Sequence, residues 1–296
     1  MDKKLLFIFN PKSGKGQIGS KLIDILNVFI ESGYTVITHP TQGPMDGCYV
    51  AKKMMNEVDL IVCSGGDGTL DEIVTGLMEA KASVPLGYIP SGSTNDFATS
   101  LNIPKDMVEA AKAIVKGIVK PLDVGTFNKD IFVYIAAFGL FTDVSYQTSQ
   151  NLKNILGHLA YVMEGAKRIF DVKSYHLKIE ANQKTYEGEY IYGMITNSHS
   201  VGGFKNLTAS DVSMNDGLFE VMMIKKPKNP IEFNEILAAL VSEYDDTDMI
   251  DSFKSDSIVI TSDEPVAWTR DGEFGGNHTK VIIENKKQAL NIIIRS

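Results

Sequence analysis

Two cysteines, Cys48 and Cys63, are all that the 296 residues contain. So sparse a pair builds no disulfide framework, and neither cysteine stands at metal-ligand spacing. We therefore expect reduced thiols in a cytoplasmic protein. Positive charge is also scarce, with 29 Lys and Arg against 37 Asp and Glu and a formal net charge of −8. Nucleic-acid binding, which draws on many cationic contacts to phosphate, is excluded as a general role. Long apolar runs are missing as well. The N-terminal run at residues 5–9 ends at Asn10-Pro11-Lys12, short of the roughly 7–15 residues of a signal core and the roughly 20 of a membrane span. No transmembrane segment is expected, and any membrane contact would be peripheral. The five histidines (His39, His158, His176, His199, His278) show no paired spacing and read as structural or solvated. There is no internal repeat and no low-complexity linker.

What is present is an ordinary globular composition, 44% hydrophobic and 22% charged, which supports one large or two medium domains. Residues 5–9 form a continuous apolar run that stops in Asn10-Pro-Lys-Ser-Gly-Lys-Gly16. Ile18, Leu22, Ile25, Leu26 and Phe29 then recur at helical spacing until Gly33. The order returns twice. Residues 60–63 lead into Ser64-Gly-Gly-Asp-Gly-Thr69 and a helical face at Leu70, Ile73, Val74, Leu77 and Met78, and residues 86–89 lead into Pro90-Ser-Gly-Ser-Thr-Asn-Asp96. Strands separated by helices pair in parallel, because the crossover returns the chain to the same end of the sheet. All three glycine loops are thus expected at one carboxyl edge, where open α/β sheets bind ligands.

After about Pro121 the texture becomes strand-like, at 131–137, 176–180, 189–196, 218–224, 257–261, 281–284 and 290–294. Hairpin turns are expected at Asn182-Gln183 and at Asn285-Lys286-Lys287, and helices near 152–170 and 230–241. The pattern therefore reads as two domains, an α/β half followed by a β-rich half.

Glycine loops at strand ends bring backbone N–H groups against phosphate oxygens, and Ser or Thr hydroxyls add donors. Each loop alone could be ordinary turn chemistry; three at one edge favour phosphate. The first is not a Walker loop, since Gly14-Lys15 is followed by Gly16. Asp67 would repel a bare pyrophosphate and suits a phosphate-bound cation instead. Asp71 and Glu72 fit the positive end of a helix. Cys63 ends an apolar run and reads as buried.

Gly65-Gly-Asp-Gly-Thr-Leu-Asp-Glu72, with Asn10-Pro-Lys-Ser-Gly14, Ser91-Gly-Ser-Thr-Asn-Asp-Phe-Ala98 and the late Asp271-Gly-Glu273, resembles the diacylglycerol kinase catalytic family, in particular its soluble bacterial lipid kinases. The Thr94 to Ala98 loop separates this family from NAD kinases and phosphofructokinases, which share Gly-Gly-Asp-Gly-Thr. The resemblance implies an ATP- and Mg²⁺-dependent transfer of the γ-phosphoryl group to a lipid hydroxyl, with diacylglycerol giving phosphatidic acid. Other lipids (undecaprenol, a sphingoid base, another glycerolipid), an NAD-kinase-like soluble substrate, or a non-catalytic nucleotide module are the alternatives. It also implies a two-domain fold, an α/β Rossmann-like nucleotide domain over 1–122 with 287–296 returning to it and a C-terminal β-sandwich domain over 123–286, with the active site in a cleft between them. ATP contacts would come from Asn10, Pro11, Ser13, Gly14, Thr41, Gly65, Gly66, Gly68, Thr69, Thr94 and Asn95, with Asp67 and Asp96 organising phosphates and metal. Thr41 is carried over by position in the Thr38-His-Pro-Thr41 stretch.

The resemblance assigns the chemistry to Asp271-Gly-Glu273. Glu273 is the first choice as proton acceptor, and Asp271 could share that role or hold metal; on the residues alone the segment is also a β-turn. Trp268 and Arg270 depart from the small or apolar residues expected before it. Ser213-Met-Asn-Asp216-Gly-Leu218 resembles the family's Mg²⁺ site, with the Asp216 carboxylate and backbone oxygens of Ser213 and Leu218 as ligands, or equally a hairpin turn.

A lipid substrate requires a membrane encounter, peripheral to the inner face for a cytoplasmic enzyme. Residues 1–30 and 151–178 each carry a net +3 against the acidic total. The second stretch, with Lys153, Lys167, Arg168, Lys173 and Lys178 beside Ile155, Leu159 and Phe170, could touch the interface or pack inside the sandwich. A homodimer is left open.

Overall fold

The computed structural model describes residues 3–92, 95–139, 172–197, 213–241 and 247–295. They divide into two compact units, one of Met1–Val124 with Lys287–Ser296 and one of Gly125–Lys286.

In the first unit β1 (Lys3–Phe9), β2 (Tyr34–Pro40), β3 (Leu60–Gly65) and β4 (Leu86–Pro90) alternate with α1 (Ile18–Glu31), α2 (Asp46–Met54) and α3 (Asp67–Glu79); α4 (Asp96–Ser100) and α5 (Met107–Lys116) follow β4. The strands stand in the order β4-β3-β1-β2 and all pair in parallel. β3 and β4 are buried at every residue, as strands covered on both faces must be, which is why they read as unbroken apolar runs. α1 packs against α5 and α2 against α3, so helices cover the sheet on either side. Gly33 at φ +86° ends α1. Asp106 caps α5 by accepting from the Val108 and Glu109 N–H groups at 3.0 Å each. Sequence patterning gave no sign of β2 or α2. β2 is the sheet edge, half exposed, with Thr and His between its apolar residues, and α2 is only nine residues long.

β5 (Ile118–Phe127) carries the chain into the second unit. There β6 (Asp130–Phe132), β7 (Ile135–Gly139), β8 (Tyr175–Ala181), β9 (Lys184–Thr196), β10 (Phe219–Lys225), β11 (Ile250–Ser255), β12 (Ser257–Arg270) and the first half of β13 (Glu273–Ile294) pair antiparallel, with α6 (Pro230–Val241) after β10. β9 and β12 each pair with β8 along one stretch and with β7 along another, which folds the sheet over its own core. That core holds Trp268, Phe127, Phe132, Phe138 and Phe219. A second cluster, with Tyr192, Met194, Met222 and Phe233, lies under α6.

Four expectations need adjustment. The single strand at 131–137 is two, broken at Val133 and Tyr134, whose N–H groups turn to a side chain. The hairpin at 285–287 does not form: β13 continues to Ile294 and enters the first unit, where Ile292 pairs with Leu86 of β4. The polar residues there mark the passage between units, with Gln288 at φ +54° and its N–H held by the Asp123 carboxylate at 2.7 Å. β12 runs unbroken from Ser257 to Arg270. β11, with an amphipathic pattern too short to stand out, was not foreseen. The Asn182-Gln183 turn is present, both residues at positive φ (52° and 61°), as a two-residue hairpin requires. The helix expected at 152–170 lies outside the described residues.

Phe7 is fully buried, its ring 5.2 Å from Phe9 and 5.9 Å from Phe29. Phe7→Ala should cost about 3–5 kcal/mol in urea unfolding; a loss below about 1 kcal/mol would contradict this account of the core.

Candidate active site

The parallel order places the ends of β1, β3 and β4 side by side, and hydrogen bonds lock the loops that follow. Asn10 N–H donates to the Ser64 carbonyl (2.9 Å), its carboxamide nitrogen reaches Thr69 Oγ1 (3.4 Å), and its Oδ1 accepts from Lys12 N–H (2.9 Å). Ser91 N–H donates to the Gly65 carbonyl at 2.8 Å. Asn95, left-handed at φ 54°, accepts from Gly92 N–H (2.9 Å) and donates back to the Gly92 carbonyl (2.8 Å). The Tyr88 hydroxyl lies 3.1 Å from the Gly65 carbonyl and 3.3 Å from Asn95 Oδ1. Tyr88 was not singled out from the sequence, although a hydroxyl inside an apolar strand must find a partner.

The glycines here are steric requirements. A Cβ on Gly14, at φ +55°, would lie 2.0 Å from the Ser91 carbonyl oxygen, and one on Gly92 would lie 2.5 Å from Gly66 Cα. Backbone therefore meets backbone across the three loops, with no side chain between them at Gly14 and Gly92. Ser13 and Gly14 lie in a single 3₁₀ turn that begins two residues after Pro11. Asp67 opens α3, ahead of Gly68 and Thr69, and Asp96 opens α4.

Thr41 joins the same edge, since its N–H donates to the Phe9 carbonyl at 2.9 Å. Asp46 steadies that loop by accepting from Gln42 N–H (2.8 Å) and facing His39 Nε2 (3.0 Å). The Gln42 amide, and after it His39, hold the Asp46 carboxyl below its usual range. A cavity of about 600 Å³ opens beside these loops, lined among others by Gly14, Ser91, Asn95, Asn102 and Lys105. Thr94 lies outside the described residues.

In the second unit, Asp271 and Gly272 form the turn between β12 and β13, both left-handed (φ 46° and 84°). Asp271 is buried, and its carboxylate accepts from Val133 N–H (2.6 Å), Tyr134 N–H (3.0 Å) and Ile135 N–H (3.0 Å). Burial pushes this carboxyl up, to about 6, against the downward pull of those amides and of Arg270. Glu273, two residues on, is exposed, beside a Phe274 that is 53% exposed. The two acids thus have opposite surroundings. Arg270 donates to the Ile131 carbonyl (2.9 Å) and pairs with Asp130 (3.4 Å). Trp268 is buried against Phe127 and Phe138. Both residues that depart from the family pattern therefore build the sandwich.

At the candidate cation site, Asp216 Oδ1 accepts from Leu218 N–H (2.9 Å) and Ser213 Oγ donates to Asn215 Oδ1 (3.0 Å). Among the described residues no three His, Cys, Asp or Glu side chains group to hold a metal, so a cation here would depend on one carboxylate and backbone oxygens, a donor set that suits hydrated Mg²⁺. Of the cations at 151–178, Lys173 pairs with Glu264 (3.4 Å) and Lys178 with Glu180 (2.7 Å); Lys153, Lys167 and Arg168 lie outside the described residues. Among those residues no helix is long and apolar enough to cross a membrane.

Sequence comparison meets this geometry directly. The diacylglycerol kinase catalytic domain matches residues 4–127, which hold all three glycine loops, and the YegS C-terminal NAD kinase beta sandwich-like domain matches residues 137–294. A diacylglycerol kinase from Bacillus subtilis (strain 168) is 36% identical over 93% of this chain and 91% of its own length. The chain belongs to the diacylglycerol kinase family. A Staphylococcus aureus (strain MRSA252) diacylglycerol kinase is 34% identical over 93% of this chain and 88% of that one. A crystal structure of a diacylglycerol kinase from Bacillus anthracis str. Sterne is 25% identical, with a TM-score of 0.77 over 99% of this chain and 97% of that chain. A second structure from that strain reaches a TM-score of 0.81 at 26% identity, with the same coverage. Membership of a kinase family implies ATP as phosphoryl donor.

Two outcomes test the site. Gly14→Ala forces the first loop off Ser91 at a cost of about 1–3 kcal/mol, so calorimetry should show ATP binding weakened about tenfold or more; unchanged affinity would refute the loop's part in ATP binding. For Asp271, the folded value of about 6 lies above the roughly 3.9 of an unfolded chain. The stability it contributes is then complete below about pH 4 and lost as the pH rises through about 6. A carboxyl ¹³C titration should place its midpoint near 6; a midpoint at or below 4 would show that the amides outweigh burial.

Proposed function

We propose that this protein is an ATP-dependent lipid kinase that phosphorylates the free hydroxyl of diacylglycerol, yielding phosphatidic acid. The observation that carries the reading is the meeting of the Asn10, Gly65 to Thr69 and Ser91 to Asn95 loops at one sheet edge with no Cβ between their backbones. Family membership supplies the reaction class. The loop N–H groups bind the phosphate oxygens of ATP, and the Ser13 and Thr69 hydroxyls add donors. Asp67 and Asp96, at the starts of their helices, are assigned to a phosphate-bound Mg²⁺, which neutralises charge on the transferring group when bound. Asp216, with the carbonyls of Ser213 and Leu218, is assigned to a second, structural Mg²⁺.

Glu273 is assigned as general base. An alcohol is a weak nucleophile, and a carboxylate that receives its proton as the O–P bond forms makes transfer feasible. Exposure leaves Glu273 free for that task. The lipid requires peripheral contact with a membrane surface, on its cytoplasmic side if the two thiols stay reduced.

Glu273→Gln should lower kcat about 10²–10⁴-fold with ATP affinity kept, measured by transfer of labelled phosphate to diacylglycerol in mixed vesicles. Mass spectrometry of products from a total bacterial lipid extract tests the acceptor. Label in NAD and in no lipid would overturn the reading.

A further inference from the structure

The carboxylate of Asp271 is fully engaged, whereas its neighbour in the same short motif is open to solvent. Two oxygens accept three N–H groups, from Val133, Tyr134 and Ile135, and the Asp271 N–H in turn donates to the Ile135 carbonyl at 2.9 Å. These bonds break the strand expected over 131–137 and divert its amides to a side chain. The same segment is gripped elsewhere. Arg270 donates to the Ile131 carbonyl at 2.9 Å. The buried Thr196 hydroxyl (2.7 Å) and the Asn197 N–H (3.0 Å) both donate to the Tyr134 carbonyl. The turn that carries Glu273 is therefore tied to a strand break whose opposite side is pinned to the end of β9.

We propose that Asp271 is a positioning residue: it clamps the Asp271-Gly272 turn to the 133–135 backbone and so fixes where Glu273 presents its carboxylate. This rests on Glu273 being the general base. Three of the roughly four acceptor positions of the carboxylate are taken by amides, and the side chain is buried, so the clamp leaves Glu273 the better placed base. Asparagine at this position is nearly isosteric, but its NH₂ group faces at least one of the three amide donors, so the clamp loses a bond and gains a donor-donor clash.

The full-length protein and its D271N, E273Q, D271N/E273Q and T196V variants test this by two readouts. The first is hydrogen exchange at the Gly272 and Glu273 amides, which needs no activity. The second is kcat, the KM values for ATP and for diacylglycerol in phosphatidylglycerol vesicles, and the pH–rate profile. D271N should speed exchange at the turn and lower kcat about 10–100-fold, with the ATP KM within about twofold and without the acidic step near pH 6, where Asp271 itself takes up a proton. D271N/E273Q should be no slower than E273Q. T196V leaves the turn untouched and keeps the test alive if D271N does not fold; it should also speed exchange at Gly272 and Glu273. Unchanged exchange in a folded D271N or in T196V would overturn the clamp. So would an inactive D271N beside an E273Q that keeps the parent's turnover, which would make Asp271 the base. If the parent protein phosphorylates no lipid, the proposed function fails, while the exchange measurements still decide the clamp.

Discussion

Close approach of backbone to backbone is the constraint on which the first unit's site depends. Three loops leave neighbouring parallel strands and must share the space above one sheet edge, and side chains at Gly14 or Gly92 would hold them apart. With a Cβ at Gly14 landing 2.0 Å from Ser91 O, the closed arrangement exists only for glycine. The ligand-binding property and the packing property are thus the same property. Tyr88 and Asn95 then stiffen what glycine leaves loose, by hydrogen bonds of 2.8–3.1 Å with Gly65 and Gly92 and one of 3.3 Å to each other.

The second unit solves a different problem with the opposite means. A two-residue turn at the end of long strands would be among the most mobile parts of a sandwich, yet the base role proposed for Glu273 requires a carboxylate held to within a fraction of an ångström. Here a buried side chain does the fixing. Desolvation of Asp271 works against its ionised form, and the three amides recover part of that cost because they would otherwise be unpaired at the break between β6 and β7. Carboxylate and strand break satisfy each other. Removing either leaves buried polar groups without partners, which is why the pair specifies one turn geometry.

Legibility in the sequence follows the range of the interactions. β1, β3, β4 and the helices α1 and α3 were readable because burial on both faces and the 3.6-residue period write themselves into neighbouring residues, and the glycine loops were readable because they end those runs. β2 was not, since an edge strand needs no continuous apolar run. The bonds that define Asp271 span 136–138 residues of chain, and Asp-Gly-Glu reads identically whether the first acid faces solvent or a strand break. The hairpin expected at 285–287 fails for a related reason: Asn-Lys-Lys signals polarity, and a strand crossing between two units is as polar there as a turn would be.

The departures at Trp268 and Arg270 follow from that longer-range logic. Judged locally, a bulky indole and a guanidinium just before a catalytic turn look like changes to a pocket. In the fold, Trp268 fills the sandwich core against Phe127 and Phe138, and Arg270 ties Asp130 and Ile131 to the strand that feeds the turn. Residues 268 and 270 are both consumed by packing within the sandwich, whereas Glu273, the partner of Arg270 across the turn, stays exposed.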